Sequence, residues 1–171
     1  MKRIIEMRKE VNDYFKSLAQ NHRLVGHTES QPHYCFLNDE KEMLLASQMK
    51  YPFVYFGFGG SEISEDELHE TWAILLSVQT HVSDTGNHAE VNMASNLCLS
   101  ILDDMLVRAC SRDEKNSHTW LRGLDLSNAI KTSIENESDA LWGWMIEARL
   151  TLPWCRRLDD WIWDDLKHLD V

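Results

Sequence analysis

Two stretches of this chain alternate apolar and polar side chains for about a dozen positions each, and a stretch with a different period lies between them. From 70 to 81, Trp72, Ile74, Leu76, Val78 and Thr80 alternate with Thr71, Ala73, Leu75, Ser77 and Gln79. From 142 to 152, Trp142, Trp144, Ile146, Ala148, Leu150 and Leu152 alternate with Gly143, Met145, Glu147, Arg149 and Thr151. A period of two puts each apolar set on one side of a strand. Between them, Val91, Ala94, Leu97, Cys98, Ile101, Leu102, Met105, Leu106 and Ala109 share one face of a single long helix. Long strands with one apolar face need a layer to bury it, and this helix supplies one. The expected fold is α+β: a mainly antiparallel sheet with a long amphipathic helix packed on one face.

The rest of the chain fits around that frame. Ile4, Met7, Val11, Tyr14, Phe15 and Leu18 form one stripe of an N-terminal helix over residues 2–20, with Lys2, Arg3, Arg8, Lys9 and Lys16 on its other face, which reads as solvated or, alternatively, as a docking surface for an acidic partner. Residues 22–33 read as a loop. Asn38 is placed to cap a short helix reaching Gln48, which Pro52 cannot let continue. YPFVYFGFGG reads as an aromatic strand closed by a tight turn at its glycines, followed by SEISEDELHE as a polar hairpin connection or the start of the next strand. VSDTGNH breaks the next strand, and Asn87 with Glu90 has the spacing of a capping box. HTWLRGLDLSN reads as irregular or as a short strand. Ile130, Thr132 and Ile134 alternate and pair through an ENESD turn with the strand at 142–152, which Pro153 ends. The chain therefore divides into one domain, 1–153, and a Trp-rich C-terminal segment, 154–171.

Charge narrows the function classes. The 171 residues carry 17 Lys and Arg against 28 Asp and Glu, a formal net charge of −11. Residues 1–23 hold six basic and three acidic residues, so the remainder carries −14. Such a balance opposes a protein that grips a phosphate backbone across its surface. Cys35, Cys98, Cys110 and Cys155 contain no CxxC pair and read as reduced, mostly buried thiols. Glu6, Arg8, Lys9 and Glu10 interrupt the apolar start before a signal-peptide core can form, and no apolar run approaches the roughly 18 residues of a membrane span. A non-membrane protein of a reducing compartment is expected.

No catalytic or metal motif emerges. His22, His27, His33, His69, His81, His88, His118 and His168 include no HExxH or HxH. The remaining metal arrangement brings His69 to His81 and His88 across a hairpin, the basis of a metalloenzyme alternative. GFGG at 57–60 lacks GxxxxGK[ST] and is followed by Glu62, which would repel phosphate. Asp159, Asp160, Asp164 and Asp165 have no EF-hand spacing and read as a solvated face. At helical spacing, Trp154, Leu158, Trp161, Ile162, Leu166 and Leu169 make 154–171 amphipathic. That segment either packs back on its own sheet or lies on a neighbouring subunit, where tryptophans concentrate in interface centres.

In the order of these elements the chain resembles the tail terminators and related tail-completion or neck (head-tail connector) proteins of long-tailed phages. The resemblance rests on KYPFVYFGFGG, on HETWAILLSVQTHVSD running through SDTGN into NHAEVNMASNLCLSILDDMLVRA, and on ALWGWMIEARLTLPW, and it spans residues 1–153. It implies a structural virion protein, assembled in the host cytoplasm, with no catalytic residues and no cofactor. It further implies a homo-oligomeric ring, a hexamer or alternatively a dodecamer, at the head-tail junction or tail end. That ring would touch neighbouring tail-tube, neck or portal proteins and no membrane, and would pass DNA through its lumen without binding it specifically. The candidate interface residues are then Trp154, Trp161, Ile162, Trp163 and Leu166 of the arm with Trp142 and Trp144 of the hairpin. The hairpin from Ile130 to Leu152 would build the ring wall, and the loops at 60–69 and 82–88 would reach adjacent rings. An acidic adaptor or immunity-type module that sequesters a basic partner is the alternative outside this group.

Overall fold

The computed structural model describes residues 4–37, 50–64 and 69–153. In chain order these form helix α1 (Ile4–Asn21), strands β1 (Tyr34–Phe36), β2 (Phe53–Ser64) and β3 (His69–His81), and the long helix α2 (His88–Cys110). A short helix α3 (Arg112–Ser117), a 3₁₀ turn (Thr119–Gly123), β4 (Leu124–Asn136) and β5 (Leu141–Pro153) follow. The fold is α+β, and the described residues form three helices and one five-stranded sheet in the order β1-β2-β3-β5-β4. Every pairing is antiparallel except β1 with β2, so the sheet is mostly antiparallel, as the short polar connections predict.

The alternating segments become the two central strands. β3 and β5 pair along their whole length, from His69 opposite Pro153 to His81 opposite Leu141. Their even-numbered side chains Ile74, Leu76, Val78, Ile146, Leu150 and Leu152 are buried in one cluster with Cys98, Ile101, Leu102 and Met105 of α2. Val11, Phe15 and Leu18 of α1 join the same cluster, where Phe15 stacks on Phe56 of β2 at 4.4 Å between ring centroids. The two central strands approach so closely that a Cβ on Gly143 would lie 2.0 Å from the carbonyl oxygen of Val78. No side chain fits there without moving backbone.

Local signals explain where α2 begins. Asn87 Oδ1 accepts from the backbone N–H groups of Ala89 (3.1 Å) and Glu90 (3.3 Å). Only half of the expected box forms, because the Glu90 carboxylate turns to Ser83, accepting from its N–H at 2.7 Å and its hydroxyl at 2.6 Å. At the other end, Ser111 both closes α2 and caps α3 by accepting from Glu114 N–H.

Four expectations change. The glycines of GFGG do not make a turn; β2 runs through them to Ser64, with a bulge between Phe58 and Ser61. β1 is an additional strand, directly after the loop read at 22–33. HTWLRGLDLSN resolves into the 3₁₀ turn and the start of β4, which is longer than its Ile130–Ile134 alternation suggests. Arg8 does not face solvent: its guanidinium carbon lies 4.8 Å from the ring centroid of Phe58 and 4.7 Å from that of Trp72. The short helix expected at 38–48 and the whole segment 154–171 lie outside the described residues.

Candidate interaction surface

The odd-numbered residues of the central strands point away from the helices and build a second, different face. Across it run Gly57, Leu75, Glu147 and Ile130, one from each of four adjacent strands, in register. Around Gly57 and Ala73 this face carries little bulk, with Ala73 and Leu75 half-buried and Glu147 and Arg149 exposed, whereas Phe53, Tyr55 and Met145 fill its other end.

Two irregularities shape it. β2 slips its register between Phe58 and Ser61, opposite Trp72–Ile74 of β3. β4 slips between Asp125 and Ile130, opposite Glu147–Arg149 of β5. Because Ala73 pairs with Arg149 and Ile74 with Ala148, the two bulges flank the same rungs of the central pair. Bulges bend a strand and re-aim its side chains. Here they border a cleft of ≈ 540 Å³ lined by residues that include Gly60, Glu62, Thr71, Ala73, Asp125, Asn128, Ile130, Glu147 and Arg149. The β4 bulge is locked by Asp125, whose carboxylate accepts from Ser127 N–H (2.8 Å) and Ser127 hydroxyl (2.6 Å). Those two bonds, with Arg149 opposite, hold the Asp125 carboxyl below its usual range. Thr71 and Thr151 hydroxyls meet at 3.0 Å at the cleft's end.

A second charged region lies at one end of the sheet, where the β3–α2 loop and the β4–β5 turn meet. Val82 N–H donates to Ala140 C=O at 2.9 Å and ties the two connections together. Residues 79–107 and 132–148 contain no lysine or arginine, whereas Asp84, Glu90, Glu135, Glu137 and Asp139 sit in or beside these connections. Ser83 and the nearby His81 keep the Glu90 carboxyl below its usual range, the serine bonds being the larger cause.

The residues singled out from the sequence go to several places. Trp142 is 5% exposed on the helix-covered side, and its carbonyl lies 3.7 Å from the Cys98 thiol. Trp144, half-buried on the same side, donates from Nε1 to Ser95 Oγ of α2 at 2.9 Å. Trp142 is thus committed to packing within the subunit, whereas Trp144 keeps part of its surface exposed. Trp154, Trp161, Ile162, Trp163 and Leu166 lie outside the described residues. The proposed approach of His69 to His81 and His88 is corrected: His69 opens β3 and His81 closes it, about 40 Å apart at the rise of an extended strand. His81 instead packs its ring 5.9 Å from Tyr51. Among the described residues, no three His, Cys, Asp or Glu side chains gather to hold a metal ion. Of the cysteines, Cys35 and Cys98 are buried and Cys110 half-buried, all as free thiols, and burial pushes the Cys98 thiol up to about 12.

The sequence reading missed the cleft, whose signal is a pair of lapses in alternation, GG at 59–60 and LSNA at 126–129. It also missed a buried histidine pair: His27 Nδ1 accepts from His33 N–H at 3.0 Å, and His33 Nδ1 lies 2.9 Å from Pro52 C=O. No protein-family model matches this chain, and no curated protein matches it in sequence.

Proposed function

We propose that this chain is a ring-forming structural subunit of the phage tail-terminator, tail-completion or neck type, acting at the head-tail junction or tail end. The observation that carries the reading is the sheet end stocked with carboxylates and lacking lysine and arginine in its flanking segments. Repeated around a ring, such an end presents a wall that repels phosphates, so a duplex passing the lumen slides and does not adhere. In this reading the helices form one layer on one face of the sheet, the β4–β5 hairpin contributes to the wall, and the arm at 154–171 reaches a neighbouring subunit. A cyclic ring uses two different patches on every copy. The arm supplies one of them through Trp154, Trp161, Ile162, Trp163 and Leu166. No step of this function makes or breaks a covalent bond.

Electron micrographs and solution mass of the purified chain test the proposal. Closed rings are expected, and removal of residues 154–171 should leave a folded monomer. A chain that stays monomeric or dimeric at all concentrations, with or without tail-tube and portal partners, overturns the ring and favours the acidic adaptor. A truncated chain that still forms rings removes the arm from the interface.

A further inference from the structure

We infer that the cleft between the two bulges receives an extended segment of another protein that carries lysine or arginine side chains. The inference stands on the cleft alone and does not require that the chain form rings. Its size, ≈ 540 Å³, falls within the range of sites that enclose a ligand. Its lining is small or aliphatic at Gly60, Ala73 and Ile130, which suits the methylene stem of a long basic side chain. The charged groups lining it are Glu62, Asp125 and Glu147 against Arg149 alone, so the cleft carries an excess of two negative charges. Arg149 lies opposite Asp125 in the strand register, and its charge acts on that carboxylate. An acidic or phosphorylated segment would be repelled, and a purely apolar one would strip water from carboxylates without replacing it.

Backbone argues for a protein occupant over a free amine. Both flanking strands leave the regular ladder at the cleft, at residues 59–60 and 126–129. Ser127 N–H is held there by Asp125, and the other peptide groups of these exposed turns of chain can exchange water for the backbone of an extended segment. A bare polyamine offers charges but no such pairing.

The test is a titration of the full isotope-labelled chain with a synthetic pentapeptide, acetyl-Gly-Lys-Val-Lys-Gly-amide, followed by amide chemical shifts. Shifts are expected to centre on Gly60, Ala73, Asn128 and Ala148. The double variant Glu62→Gln/Glu147→Gln should weaken binding by about tenfold or more, whereas Glu137→Gln in the β4–β5 turn should change it by less than about twofold. Both glutamates of the double variant are exposed, and thermal melts check that the variant folds as the parent does. Shifts scattered over the acidic surface, or equal weakening by Glu137→Gln, would overturn the inference in favour of general charge attraction. Equal binding of the lysine-acetylated peptide would overturn it too, and so would spermidine that reproduces the same shifts at the peptide's affinity. Solution mass is measured separately, so loss of peptide binding and absence of rings are distinguishable outcomes.

Discussion

Adjacent rungs of one sheet carry opposite chemistry. On the rung facing the helices, Phe56, Leu76, Ile146 and Lys131 lie side by side; on the next, facing away, lie Gly57, Leu75, Glu147 and Ile130. The first three residues of the inner rung are sealed from solvent, and Lys131 at its edge reaches Asp103 of α2. The outer rung holds a glycine, a half-buried leucine and two exposed side chains. Both rungs share backbone, register and twist, so the difference is made by what the side chains meet. The inner face is used up in holding the fold, and the outer face, packed at its Phe53 and Tyr55 end, is left free around the bulges to carry charge and a cleft.

The largest expected effect tests that division directly. Phe56→Ala removes a ring with 0% exposure that stacks on Phe15, and should cost about 3–5 kcal/mol in urea unfolding. Ile130→Ala, on the edge strand β4 at the end of the next rung and 68% exposed, should cost no more than about 0.5 kcal/mol. Comparable losses at the two sites would mean that the outer face also carries the fold.

The inner face was largely legible in the sequence and the outer face was not, for a physical reason. Periodicity reports burial, so Val11, Phe15, Ile101, Leu150 and their companions disclose themselves by spacing. Arg8 escaped because its charge was allowed to outweigh its place: it lies three residues before Val11 and seven before Phe15, inside the stripe. β1 is three residues long, too short to show any alternation. Gly59 and Gly60 suggested a turn because glycine serves turns and bulges alike, and only the partner strand decides which forms. The cleft depends on two bulges that are far apart in sequence and meet at the same rungs. No local pattern announces that coincidence. The proposed arm, by contrast, was read from tryptophan content and amphipathic spacing.

A second contrast separates the faces by pH. On the helix-covered side, His27 is buried with its ring 5.9 Å from that of Tyr34, and its Nε2 has no hydrogen-bond partner. Burial, then the positive field of Lys16 and the nearness of His33, lowers its pKa to about 4, against a smaller opposing effect of Glu29. The unfolded chain takes up that proton near pH 6.5, so between pH 6.5 and 4 unfolding binds a proton and stability falls as acid is added. The full loss is about 3 kcal/mol by the size of the shift. His27→Asn keeps an acceptor for His33 N–H and cannot titrate, so its stability should be flatter than the parent's over that range by the same amount. Parallel pH profiles for parent and variant would show that His27 is not the buried titrating group.

The smallest effect belongs to the outer face itself. Thr71 and Thr151 face each other across β3 and β5 with their hydroxyl oxygens 3.0 Å apart, a side-chain hydrogen bond between the two central strands on that side. Thr151→Val preserves shape and β-branching and removes only the hydroxyl, so packing and strand preference stay nearly constant. A cross-strand pair of this kind contributes roughly 0.2–1 kcal/mol, and the half-buried site leaves the remaining Thr71 hydroxyl open to solvent in part. The variant should therefore lose under about 1 kcal/mol in urea unfolding. It should also bind the lysine peptide as the parent does, because the hydroxyl pair lies at the end of the cleft and carries none of its charge. A loss as large as that of Phe56→Ala would place a structural bond where the outer face is expected to have only a weak one. Loss of peptide binding with unchanged stability would move the centre of the cleft toward the Thr71 end.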